Sequence, residues 1–162
     1  MSRLDSFIRR LEAQRACIDA AAALIAALPG NVLEFGLGNG RTYDHLRERL
    51  GGRDIYVFER QVAAHPDCIP PADRLFLGDF LDSLPTAVAQ LGQATALANL
   101  DIGSGDEAAS RQLARAMTPL VLQLLKPGGV LISDQPVADA ALEALALPAG
   151  IKPGRYFLHR RR

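Results

Sequence analysis

Residues 31–46 read NVLEFGLGNGRTYDHL, from Asn31 to Leu46. A short apolar run carries one acid, Glu34, and is followed by glycines at 36, 38 and 40 and a helix-like segment. The pattern predicts a buried strand, a tight turn and a helix. Glycines in such a turn let the backbone bend sharply and let a ligand lie against it. The dinucleotide fingerprint is GxGxxG, and here the third glycine comes one residue early. Pyrophosphate also needs a helix terminus free of nearby negative charge. Glu34 instead repels phosphate and favours an ammonium.

Working outward, the same alternation recurs. "DIYVFER", "RLFLGD", "ATALANLD" and "VLISD" read as four further strands, and "RTYDHLRERL", "FLDSLPTAVAQLG" and "SRQLARAMTPLVLQLL" as the intervening helices. "AAHPDCIPPAD" reads as a loop because of its three prolines. Apolar strands separated by helices predict a doubly wound, mostly parallel α/β sheet with helices on both faces. In such sheets ligands bind outside the carboxyl ends of the strands. Those ends carry Glu34, Glu59, Asp79, Asp101 and Asp134, five carboxylates on one rim.

The acids define a ligand. Glu59 follows Gly40 by nineteen residues and is placed to accept from both hydroxyls of a ribose. Asp79 is placed to accept from an exocyclic amine such as that of adenine. An ammonium, a ribose and an aminopurine without phosphate describe S-adenosylmethionine. The plain alternatives are a helix cap for Asp79 and a surface ion pair for Glu59 with Arg60. Glu34, between Leu33 and Phe35, needs a partner in any reading.

At these residues the sequence resembles the class I S-adenosylmethionine-dependent methyltransferases, including a small bacterial group without an assigned substrate. "LEFGLGNG" is similar to their first motif, "VFER" to their ribose acid, "LGDF" to their adenine-contacting acid, and "LLKPGGVLISD" to their last core helix and fifth strand. The resemblance implies a Rossmann-like methyltransferase fold and a cofactor held by Glu34, Gly36, Gly38, Gly40, Glu59, Arg60, Asp79 and Phe80. It places the acceptor beside Asp101 and Asp134, the candidate catalytic pair. Catechol-type O-methyltransferases bind magnesium through an acid after the fourth strand and an Asp-Asn pair after the fifth. Asp101 with Asp134 and Gln135 is similar, which makes these three the candidate Mg2+ ligands. "LDIGSGD" after the fourth strand lacks the Asn-Pro-Pro-Tyr of exocyclic-amine methyltransferases. A small-molecule acceptor, methylated at oxygen rather than nitrogen, is expected. The rival readings are a methyltransferase-like regulatory or assembly subunit without turnover and an NAD-dependent oxidoreductase.

The 162 residues fit a single domain, residues 1–162, with residues 30–162 as its core. Eighteen basic and eighteen acidic side chains give a formal net charge of zero, so nothing global draws the chain to nucleic acid or an anionic membrane. Cys17 and Cys68 lack CxxC spacing and read as reduced thiols of a cytoplasmic protein. Residues 1–28 carry apolar positions at helical intervals, as one helix or two, and form a lid or a homodimer contact. "ACIDAAAALIAAL" is too short for a membrane span. His45 reads as a surface residue, and the terminal "HRRR" as a solvated tail. The C-terminal part predicts a helix over Ala138–Ala146, a shortened sixth strand in "LALP", and a last antiparallel strand "RYFLHR", a shortened end for this fold.

Overall fold

In the computed structural model, which describes residues 2–162, β1 (Asn31–Phe35) occupies the middle of the sheet. The chain then winds to one side through α2 (Arg41–Leu50), β2 (Ile55–Glu59) and β3 (Leu75–Leu77). It passes α3 (Phe80–Leu91) and continues on the other side of β1 with β4 (Thr95–Leu100), α4 (Glu107–Leu124) and β5 (Leu125–Ser133). Two short strands, β6 (Leu142–Ala144) and β7 (Phe157–Arg161), finish the sheet in the order β3-β2-β1-β4-β5-β7-β6. Strands β1 to β5 are parallel, whereas β7 is antiparallel to both β5 and β6. The order reverses between β1 and β4, so the rim opens there for a ligand.

Period-two alternation divides the β1 side chains between two cores. Val32 belongs to the core under α1 (Arg3–Leu24) and α2, with Ala13, Cys17, Ile18, Tyr43 and Leu46. Leu33 and Phe35 belong to the core under α3 and α4, with Leu84, Ala87, Met117 and Val121. Register places Phe35 beside Phe58 and Phe58 beside Phe76. The three rings stack across adjacent strands with centroids 4.2 and 4.7 Å apart.

The N-terminal segment is one helix. A capping box of Ser2 and Asp5 starts α1. Just past its far end the Arg53 guanidinium donates to the carbonyls of Ile25, Leu28 and Gly30 and holds the turn that leads into β1. Its second half is buried against the sheet, while Leu4, Phe7 and Ile8 of the first half stay exposed. Arg155 ties that first half down, donating to the Ser6 carbonyl at 3.3 Å and its hydroxyl at 2.7 Å.

Two C-terminal expectations are corrected. No helix spans Ala138–Ala146; Asp139 closes a turn by accepting from the Ala141 and Leu142 amides, and residues 142–144 pair with β7 as β6. Edge pairing overrides the helical propensity of "ALEALAL", and "LALP" follows the strand instead of forming it. Nor is "HRRR" a free tail. His159 to Arg161 lie in β7, and Arg161 donates to the carbonyls of Leu122 and Leu125 where α4 runs into β5. Among the described residues no helix is long and apolar enough to cross a membrane.

Candidate active site

The glycine turn after β1 forms the wall of a cleft of about 520 Å³ at the strand ends. Gly36 has a φ of +88°, and a Cβ there would come within 2.3 Å of the Asp101 carbonyl. Only glycine lets the β1 turn and the end of β4 approach so closely. At Gly38 the case differs, because a Cβ would meet nothing within 4 Å. Its missing side chain leaves open space over the loop. Gly40 caps the start of α2 without a side chain. Glu59 fastens the turn to β2: one carboxylate oxygen accepts from the Gly38 amide at 3.0 Å and the other from the Arg60 amide at 2.7 Å. Arg60, Phe80 and Asp101 line the same cleft.

Asp79 sits at the cleft's edge, in an adjoining hollow with Phe76 and Leu77. It accepts from the Leu81 amide at 3.0 Å as the N-cap of α3 and from Arg60 at 3.1 Å. The helix-cap reading of Asp79 is therefore present, whereas the ion pair expected between Glu59 and Arg60 is not: the Arg60 side chain pairs with Asp79 instead.

Glu34 and Asp101 have unequal surroundings. Glu34 is fully buried. Its oxygens accept from the Asn99 amide nitrogen at 2.7 Å and from the Thr42 hydroxyl. Burial pushes its carboxyl up to about 8, against the lowering effect of Thr42 and Asn99, and Asp101 adds to the rise. Near neutral pH it is largely protonated and sits behind the loop. Asp101, one residue beyond β4, is the one of the two that lines the cleft. One of its oxygens accepts from Arg10 at 3.0 Å and from the Tyr156 hydroxyl at 3.4 Å; the other accepts from Gln14 at 2.7 Å. Burial raises the Tyr156 phenol above its ordinary range and Asp101 raises it further, so it stays neutral.

The chain as a whole matches a known family. Residues 1–161 fit the model of the S-adenosyl-L-methionine methyltransferases. The chain belongs to that family. An S-adenosyl-L-methionine methyl transferase from Silicibacter pomeroyi is 45% identical, with a TM-score of 0.95 over 100% of this chain and 99% of that one. Human methyltransferase-like protein 13, solved with SAH, superposes with a TM-score of 0.58 at 17% identity, over 97% of this chain and 80% of that one. SAH-bound PaMTH1 of Podospora anserina gives 0.53 at 16% identity, over 100% and 80%. The last two likenesses concern the fold. No functionally curated protein matches the sequence. S-adenosylmethionine is the methyl donor, which sets aside the oxidoreductase and the subunit without turnover.

In this methyltransferase the expected Mg2+ ligands do not fit a metal. Asp134 accepts from the backbone amides of Ile102 at 3.3 Å and Gly103 at 2.8 Å, which pins the loop after β4. A Cβ at Gly103 would collide with its carboxylate and crowd Gln135. Asp101 is held by Arg10 and Gln14. A divalent ion would have to displace a guanidinium and two loop amides, and among the described residues no three His, Cys, Asp or Glu side chains group to replace them. Asp134 therefore acts as a brace rather than a ligand. His45 bonds Asp19 at 2.9 Å and links α2 to α1.

Sequence reasoning did not single out Arg10, Gln14 and Tyr156. Arg10 and Gln14 stand four apart, on one side of α1, the only local signal that this side meets something polar. Tyr156 lies 55 positions from Asp101 and carries no motif.

Proposed function

We propose that this methyltransferase holds S-adenosylmethionine across the ends of β1, β2 and β3 and transfers its methyl group to a small-molecule acceptor, at oxygen rather than nitrogen. The observation that carries the reading is the cleft itself, which gathers Gly36, Gly38, Glu59, Arg60, Phe80 and Asp101 around open space. Gly36 to Gly40 lie along the methionine tail. Glu59 accepts from the ribose hydroxyls, and Asp79 with Phe80 holds the adenine end. Asp101 faces the ammonium in place of Glu34, whose carboxyl instead braces the loop through Thr42 and Asn99. When bound, the donor supplies a methyl group on a positively charged sulfur, whose transfer needs positioning more than covalent help.

Support for oxygen comes from "LDIGSGD" after β4, which lacks the Pro-Pro-Tyr element of exocyclic-amine methyltransferases. The exposed Leu4, Phe7 and Ile8 of α1 are the surface for a lid or a second copy. Free Cys17 and Cys68 fit a cytoplasmic setting.

Calorimetric titration with S-adenosylhomocysteine, with NAD as control, tests the cleft. Binding of the first and not the second is expected; no binding of S-adenosylhomocysteine overturns the assignment. An acceptor panel of matched phenols and amines, read by S-adenosylhomocysteine release, tests oxygen against nitrogen. Preferential turnover of the amines overturns that part.

A further inference from the structure

We infer that the first half of α1 completes the donor site, with Arg10 and Arg41 forming a clamp for the α-carboxylate of the donor's amino-acid head. The Arg10–Asp101 ion pair of the free chain holds the place that this head takes. The inference rests on the cleft assignment above and adds residues outside the motifs that suggested it.

A second hollow of about 160 Å³ continues the cleft. It shares Arg10, Gly36, Gly38 and Asp101 with the cleft, and reaches on to Phe7, Gln14, Arg41 and Thr42. Glu59 and Phe80 line the cleft but not this hollow. A donor laid with its ribose at Glu59 therefore directs its amino-acid head here. That head is a zwitterion, one ammonium and one carboxylate. The hollow offers one carboxylate, Asp101, and two guanidiniums.

The three groups are prepared in different ways. Gln14 holds one oxygen of Asp101 at 2.7 Å, which leaves the oxygen now facing Arg10 to receive an ammonium. Arg10, its side chain 40% exposed, is paired with Asp101 beside the Tyr156 hydroxyl and can turn outward from α1. Arg41 has no carboxylate partner among the described residues and lies over the Phe7 ring, 5.9 Å from its centroid. It is the first residue of α2, whose cap Gly40 supplies no side-chain acceptor, so the helix end also favours an anion. On binding, one internal ion pair is exchanged for three: ammonium to Asp101, and carboxylate to Arg10 and to Arg41. Both guanidiniums suit a planar carboxylate. The exchange also makes α1 part of the bound complex rather than a cover beside it.

Three ligands separate the parts of this claim: S-adenosylhomocysteine, its decarboxylated analogue, and 5′-methylthioadenosine, which lacks the whole head. Calorimetry on the wild type and on Arg10→Met/Arg41→Met reads them. The wild type is expected to prefer S-adenosylhomocysteine over the decarboxylated analogue by about ten- to hundredfold, the range of a charge-assisted contact. The double variant is expected to lose that preference while binding 5′-methylthioadenosine as the wild type does, which shows that its fold and cleft are intact. A double variant that keeps the full preference overturns the clamp and leaves the cleft standing. If the wild type binds neither S-adenosylhomocysteine nor 5′-methylthioadenosine, the cleft assignment falls and the clamp with it.

Discussion

The two faces of the sheet are built on different principles. Under α3 and α4 the core is apolar: Phe35, Phe58 and Phe76 stack in register, and Leu84, Met117 and Val121 fill the space around them. Under α1 and α2 the core turns polar near the rim, with Glu34, Asn99, Thr42 and Gln14 buried and Tyr156 beside Asp101. The apolar face holds the strands in place by area and shape. The polar face holds a loop in place by hydrogen bonds whose partners are specific. A site for a charged ligand needs the second kind of support, and the first kind makes it stable enough to keep.

The contrast is most severely tested by Phe58→Ala. It opens the middle of the ring stack and should cost about 3–5 kcal/mol of stability, read by denaturant unfolding. If the faces are separate in function, the folded fraction of this variant keeps its affinity for S-adenosylhomocysteine. Asp101→Asn should do the reverse, lowering that affinity about ten- to hundredfold by calorimetry with little change in unfolding midpoint. Glu34→Ala strands the Thr42 hydroxyl and the Asn99 amide. It should destabilise by about 1–3 kcal/mol, the range for partners left unsatisfied, and it should weaken cofactor binding only through the loop.

Glu34→Gln sharpens the comparison further. Burial pushes the native carboxyl up to about 8, while the unfolded chain releases its proton near the ordinary value of 4.5. Between those values the folded state binds more protons than the unfolded one, so stability falls as pH rises. Gln cannot ionise, so the decline in melting temperature from pH 5 to 8 should flatten in the variant; an unchanged slope would locate the titrating group elsewhere. The smallest effect belongs to Leu4→Ser with Ile8→Ser. On the exposed half of α1 these should shift unfolding by less than about 0.5 kcal/mol, unless light scattering shows that this surface joins two copies.

Much of this was legible in the chain. Four of the five strand-end acids, Glu59, Asp79, Asp101 and Asp134, do stand at the strand ends, because apolar runs between helices leave few other ways to assemble a sheet. Which acid would face the ligand was harder to read. Glu34 lies inside β1, two residues from Val32, and alternation sends both toward α1 and α2, where burial removes its charge. Asp101 stands one residue past β4, where the strand has ended and the side chain is free to line the cleft. Arg10 reaches Asp101 across 91 positions, a contact that no local pattern records. The 142–144 strand was hidden for the same reason: "ALEALAL" is a good helix by propensity, and only β7, more than a dozen residues later, offers it an edge.

The tie between Arg155 and Ser6 spans 149 positions, and this has a consequence for synthesis. A ribosome completes the glycine loop and all five acids before it reaches Tyr156 or Arg155. Until then the first half of α1, which carries Leu4, Phe7 and Ile8, is held only through Arg10 at Asp101 and Phe7 beneath Arg41. The nascent chain thus has Glu59, Asp79 and Phe80, proposed above to hold the ribose and the adenine, well before it has Arg155 and Tyr156. The tie between Arg155 and Ser6 is a contact that is slow to find because its partners are distant in the chain.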